Sequence, residues 1–429
     1  MKKADLFLGL YILLNLHILR NLSLVGYFTV LALVYIPVIV YCLLHFASIK
    51  LSRIALWLLL YFVTALWPSI VTFIDYGINT GVYATVRYFL SLPMALAAFW
   101  LLSYEKNMRS MLRLFCSIVL LGLLTIPLQY ATGPISWFAE PGERAGVIRY
   151  ASLLGSLTVA GGVIPFAVLV ALVSHIKPMW KVLLLCGLGL GAIFTLQKAA
   201  LLGIPLAVCV YIVYQRRQLV KPRNVLGVFG IGLLIVFLGG VANSFLADWP
   251  VWQNSVAYAS AAFSPENAVA RGGDVSIQES IEDRLISMPA LALSGLGNYS
   301  GWGGYLLGGG FGMVGASLVM PEDSPFITSH NGYVDFVLIG GIAHLLAFGG
   351  LVCSTLRSLY IWLKNCRTKH LSDDVPIAFL GIVTIALVSL LFAGGLTFQP
   401  ITGCLFWTIV GIAWRLESER LVSSYTLRG

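Results

Sequence analysis

The chain has 429 residues, 59% of them hydrophobic and only 10% charged, with a mean hydropathy of +0.90. A soluble domain carries about 25% charged residues, so this composition excludes a water-facing globule and makes a bilayer the solvent. The net charge of +9 follows membrane side rather than forming a patch, and does not indicate nucleic-acid binding.

The opening Met1-Lys2-Lys3 precedes an apolar run, but no small-residue cleavage site follows, so a retained first helix is expected rather than a signal peptide. Runs long enough to cross about 30 Å of hydrocarbon fall at 5–20, 23–46, 54–74, 81–102, 111–130, 150–174, 182–196, 199–214, 224–245, 332–360, 376–396 and 400–414. The expected fold is an all-α polytopic membrane protein with about twelve transmembrane helices. The spans at 182–196 and 199–214 are short and separated only by Gln197-Lys198, which predicts a tight hairpin. With the N-terminus inside, 20 of the 27 Lys and Arg residues fall in cytoplasmic segments. Arg20, Arg144, Arg149, Lys198, Arg271 and Arg284 lie at the outer face, and Arg87 falls within a span. That bias predicts cytoplasmic N- and C-termini.

The chain therefore divides into helices 1–9 over 1–246, an outer loop over 247–331, and helices 10–12 with the C-terminus over 332–429. The cytoplasmic loops are short, the longest near 361–375, and no Walker motif is present. A nucleotide-sugar or ATP-binding domain on that side is excluded. Of seven cysteines, Cys366 is in a cytoplasmic loop and the rest are in spans, so no disulfide framework is expected. No Cys/His cluster has zinc-ligand spacing, and neither a metal nor a cofactor is expected. The outer side is different. Its 247–331 loop and the smaller 131–149 loop exceed the length at which structureless connections are usual. Ser276–Leu293 has helical periodicity, and a glycine-rich stretch, 295–304, follows it.

Arg144, Arg149, Lys198 and Arg284 stand near membrane boundaries, at headgroup depth, where Arg binds phosphate as a fork and Lys as a point charge. The plainer reading is headgroup anchoring, or ion pairs with Glu140, Glu143, Glu282 or Asp283. Arg87 inside a span is a functional candidate or half of a structural pair. His330 stands at the outer mouth of a helix, with Thr328 or Ser329 available to cap it, and its imidazole suits a general base for a hydroxyl. Asp335, about one turn on, is placed to orient the ring. Alternatively, His330 is simply part of a capping turn. The spans hold few other carboxylates, which weighs against an ion-coupled transporter.

Four segments between about Gly142 and Leu351 resemble the bacterial O-antigen ligase and O-antigen polymerase superfamily. Gly142-Glu143-Arg144-Ala145-Gly146 is similar to its early outer-loop arginine motif. Phe194-Thr195-Leu196-Gln197-Lys198-Ala199-Ala200 is similar to its hairpin motif, with Lys198 where arginine is usual. Glu282-Asp283-Arg284 with Ser294-Gly295-Leu296-Gly297 resembles its arginine segment before a Gly-x-Gly. Ser329-His330-Asn331-Gly332-Tyr333, leading to Gly340-Gly341, resembles its His-Asn motif, with Val334 and Asp335 departing from the usual continuation.

The resemblance implies a metal-independent, inverting glycosyltransferase of the bacterial inner membrane with an extracytoplasmic site. Its donor would be an undecaprenyl-pyrophosphate-linked glycan, and its acceptor a second glycan or the lipid A core. Expected partners are those substrates, membrane lipids and, as a further candidate, a chain-length regulator. It assigns His330 and Arg284 to catalysis, Lys198, Arg144, Arg149 and Arg87 to the pyrophosphate, and Asn331, Asp335 and Tyr333 to support. The Lys198 departure inclines the expectation towards a polymerase, with a ligase as the alternative and a lipid-linked glycan flippase or transporter as the reading from another class.

Overall fold

The computed structural model describes residues 52–102, 105–135, 141–144, 147–155, 157–195, 197–215, 282–317, 329–392 and 399–426, with Gln253 and a few positions before residue 41. The expected span at 224–245, nearly all of 23–46, most of 5–20, and most of the loop before residue 282 lie outside the described residues. The protein is mostly helical. In chain order the helices are α1 (Arg53–Phe89), α2 (Pro93–Leu101), α3 (Glu105–Thr132), α4 (Leu157–Val173), α5 (Pro178–Thr195), α6 (Lys198–Tyr214), α7 (Met288–Leu307), α8 (Gly332–Thr368), α9 (Asp374–Leu390) and α10 (Pro400–Thr426). Strands β1 (Gly142–Arg144) and β2 (Val147–Arg149) form an antiparallel pair, with Gly142 opposite Arg149.

Among the described residues, four helical segments are long and apolar enough to cross a membrane: Arg53–Leu101, Glu105–Thr132, Pro178–Thr195 and Gly332–Thr368. Val159–Val173, Leu202–Tyr214 and Asp374–Leu390 are shorter apolar helices. This is an all-α, membrane-embedded chain. Its exposed side chains agree: Leu59, Val63, Trp67, Ile70 and Ile74 on α1 all face outward, the arrangement of a surface solvated by lipid.

Three long helices are not rods. Eight residues of straight helix span about 12 Å, yet a Cβ added at Gly81 would lie 3.0 Å from the Phe73 Cα. Tyr61 and Tyr88, 27 residues apart, share a 2.6 Å hydrogen bond between hydroxyls. Helix α1 therefore reverses at Gly77, whose φ of 79° lies in the region glycine favours. Its two arms correspond to the separate spans expected at 54–74 and 81–102. Helix α7 turns at Gly301 (φ 59°), so that Tyr305 Oη donates to the Leu293 carbonyl at 3.0 Å. This helical hairpin occupies part of the segment expected as an outer loop, and it incorporates the glycine-rich stretch.

Helix α8, expected as one unbroken span, turns sharply at Gly340-Gly341. The Phe336 and Phe348 rings stack at 4.2 Å, although twelve residues of straight helix span about 18 Å. A helix break orphans carbonyls. Here the Gly309 and Gly310 amides donate to Leu338 O (2.9 Å) and Ile339 O (3.2 Å) and satisfy them. The two backbones touch: a Cβ on Gly308 would sit 2.1 Å from Ile339 O, and one on Gly341 2.1 Å from Leu306 O. Irregular backbone survives at membrane depth only when protein supplies its hydrogen bonds in this way.

Candidate active site

The turn before α8 is built by three adjacent residues. Asn331 is the N-cap, its side-chain oxygen accepting from Tyr333 N (3.1 Å) and Val334 N (3.3 Å). Ser329, expected as a candidate cap, has another task. It is fully buried, its Oγ accepts from Asn331 N at 3.0 Å and donates to Asp335 Oδ1 at 2.5 Å. Between them His330 is exposed and held at φ 54°, a region that non-glycine residues rarely occupy. The Ser329 clamp thus fixes the residue that presents the imidazole outward. Asp335 is buried and engaged by the Ser329 hydroxyl, so its orienting effect on His330 runs through the turn rather than through the ring.

The C-terminal end of α9 is the meeting point. A helix leaves its last carbonyls without partners, and side chains from α8 and from the turn ahead of α7 fill these positions. Tyr333 Oη donates to Leu387 O (2.8 Å), Asn331 Nδ2 to Leu391 O (3.3 Å) and Arg284 Nη1 to Phe392 O (2.6 Å). Leu391 and Phe392 are consecutive, with Cα atoms about 3.8 Å apart. Arg284 and the His330-Asn331 turn, 46 residues apart in sequence, therefore share one anchor. Arg284 sits in a π-helical turn (Asp283–Ser287) that leads into α7, a geometry often found at functional sites. The negative end of the α9 dipole also favours a guanidinium there.

The other candidate cations sit on separate elements. Arg87 on α1 is half-buried and donates to the Tyr83 hydroxyl at 3.1 Å. Arg149 on β2 is half-buried beside the end of α3, where Tyr130 Oη donates to Ile148 O at 2.8 Å. Arg144 pairs with Val147 across the β-hairpin and Lys198 opens α6, but their side chains lie outside what is described.

Sequence reasoning passed over His344, which is completely buried. Its Nε2 lies 2.6 Å from Tyr88 Oη and its Nδ1 2.8 Å from Thr64 Oγ1. One consistent assignment runs Tyr61 to Tyr88 to Nε2, and from Nδ1–H to Thr64, which donates to Leu60 O at 2.9 Å. This network ties both arms of α1 to α8 just past its turn, directly behind the segment that carries His330. Four polar residues at unrelated spacings in three spans left no sequence signal for it.

In chemical terms, the end of α9 gathers a guanidinium and an amide, and the turn anchored there carries the exposed His330. Those groups can hold an anion and accept a proton. No family model and no curated protein sequence matches the chain.

Proposed function

We propose that the chain transfers a glycan from undecaprenyl pyrophosphate to an acceptor hydroxyl at the outer face of the bacterial inner membrane, most simply as a surface-polysaccharide polymerase. The observation that carries this reading is the common anchorage of Arg284 and the His330-Asn331 turn on consecutive carbonyls at the end of α9. A glycosyl diphosphate needs cationic donors at the departing oxygens and a base on the opposite face. His330 accepts the acceptor proton as the new C–O bond forms, while the bond from the anomeric carbon to the diphosphate oxygen breaks with inversion. Arg284, with Lys198, Arg144, Arg149 and Arg87 as further candidates, bears the developing diphosphate charge, an interaction that gains strength where water is excluded. The topology that goes with this reading has about twelve spans and both termini in the cytoplasm.

Purified full-length protein in detergent, given a defined undecaprenyl-pyrophosphate oligosaccharide, should lengthen or transfer the glycan without any gradient. His330→Ala should lower that rate by about 10²–10⁴, the usual contribution of a general base. A His330→Ala protein with near-normal turnover would remove the base assignment. Wild-type protein that moves the lipid-linked donor across vesicles but never forms a glycosidic bond would replace transfer with transport. Fusion of a compartment reporter to the C-terminus checks the orientation.

A further inference from the structure

The opposite end of α9 holds a second feature. About 25 Å of helix separates the anchor near Leu391 from a cavity of about 250 Å³ around Asp374, enclosed by the first turns of α3, the end of α4 and the start of α9. Its polar lining is Arg109, Arg113, Ser174, His175, Ser372 and Asp374, and its walls include Leu112 and Val170.

A hydrogen-bond inventory determines what fits. Arg109 uses Nε and Nη2 on Asp374 (2.8 Å each) and Nη2 on Glu105 (2.5 Å), which leaves the two N–H groups of Nη1. Arg113 lies one helical turn further along α3, exposed, and its guanidinium enters no hydrogen bond or ion pair among the described residues. The one carboxylate in the lining, by contrast, is engaged: Asp374 takes bonds from Arg109 and from Ser372 Oγ (2.6 Å), while the Ser174 hydroxyl donates to Val170 O (2.6 Å). The cavity therefore offers a surplus of cationic donors to a ligand that brings acceptors.

We infer that this cavity binds a phosphate group, with Arg113 as the forked contact and Arg109 Nη1 as the second. A guanidinium pairs bidentately with such a group. The aliphatic walls and the position at the ends of three apolar helices favour the phosphodiester headgroup of an anionic phospholipid, which basic pockets between transmembrane helices recognise. Glu105 and Asp374 fix Arg109 in place, so this half of the site is formed before the ligand arrives.

Native mass spectrometry of the full chain in detergent tests this, with phosphatidylglycerol, phosphatidylcholine and inorganic phosphate as probes. Phosphatidylglycerol should bind as one tightly held molecule in preference to phosphatidylcholine. Arg113→Gln should weaken it by about tenfold, as expected for one charged, forked contact. Arg113→Lys, which keeps the charge but loses the fork, should fall between. Lys364→Gln removes a charge from an exposed position outside the cavity and should leave binding unchanged. Displacement of the lipid by millimolar inorganic phosphate would support the same phosphate contact with a soluble source. Unchanged binding in Arg113→Gln, or an equal loss in Lys364→Gln, would overturn the site in favour of diffuse charge attraction. Failure of glycan transfer bears on the other end of α9 and leaves this outcome untouched.

Discussion

The two ends of α9 each hold an arginine from a distant part of the chain, and they hold it differently. At the Asp374 end, Arg109 meets two carboxylates, Asp374 at 2.8 Å and Glu105 at 2.5 Å. At the Leu390 end, Arg284 donates to a peptide carbonyl, and its neighbours there are the amide of Asn331 and the phenol of Tyr333. A carboxylate pairs with a guanidinium by charge, whereas a carbonyl orients it through a hydrogen bond. The first arrangement ties Arg109 into two ion pairs, and the second fixes Arg284 against the backbone at the end of α9.

Arg284 gives the sharpest break in that comparison. If its task is to stabilise a leaving diphosphate, Arg284→Ala should reduce glycan transfer by about 10²–10³, the usual range for loss of one preorganised donor. Arg284→Lys separates the two readings of the residue. A lysine keeps a cation at the helix end and one bond to Phe392 O, so thermal stability should be preserved, while the forked contact and most of the activity are lost. Equal activity in Arg284→Lys and wild type would reduce Arg284 to a helix cap.

Gly341→Ala is the strongest expected lesion to the fold. With φ at 69° and a new Cβ 2.1 Å from Leu306 O, the crossing of the α7–α8 connection over the α8 turn cannot close. We expect a loss of about 3 kcal/mol, from backbone strain and overpacking together, read as a drop in melting temperature in detergent. Activity should fall with it, because the same turn positions the helix that follows His330. An unchanged melting temperature would mean that α8 runs straight.

At the other end, Arg109→Ala should cost about 1–2 kcal/mol and leave the rate per folded molecule unchanged, since the pair is partly exposed and exposed pairs contribute less. Burial alone pushes the Asp374 carboxyl up, but the bonds from Arg109 and Ser372 outweigh it and hold the group below its ordinary value. A depressed carboxylate adds stability above its unfolded pKa of about 4 and loses it as pH falls through the folded value. Wild type should therefore destabilise more steeply than Asp374→Asn on acidification below about pH 4. Parallel curves would show that the pair carries no net stability.

Much of this architecture was legible in the sequence, and the reasons are specific. Hydropathy separated the arms of α1 because Asp75, Gly77 and Asn79 interrupt the apolar run where the chain reverses. The α8 turn was hidden, because Gly340-Gly341 lies in an apolar stretch and the amides that satisfy its carbonyls come from residues 309 and 310. The meeting of Arg284 with the His330-Asn331 turn at α9 was not legible in the sequence. His330 and Arg284 stood out by charge and position, but the carbonyls that join them belong to Leu391 and Phe392, and a backbone carbonyl leaves no mark in a sequence. Nor did composition reveal that Ser329 would serve Asp335 while Asn331 caps the helix.

Tyr333→Phe should give the smallest effect, and it tests how the α9 end is held. Its hydroxyl supplies one bond to Leu387 O, a carbonyl in the final turn of α9 that the helix itself does not satisfy. Removing the oxygen keeps the ring packed and costs about 0.5–1.5 kcal/mol. Asn331 and Arg284 still hold the Leu391 and Phe392 carbonyls, so transfer should remain within a fewfold of wild type, as read in the same lipid-linked assay. A loss as large as that of Arg284→Ala would place the phenol in the chemistry itself. The anchor at α9 would then be part of the proposed reacting surface, and the contrast between the two ends would have to be drawn one turn deeper in the helix.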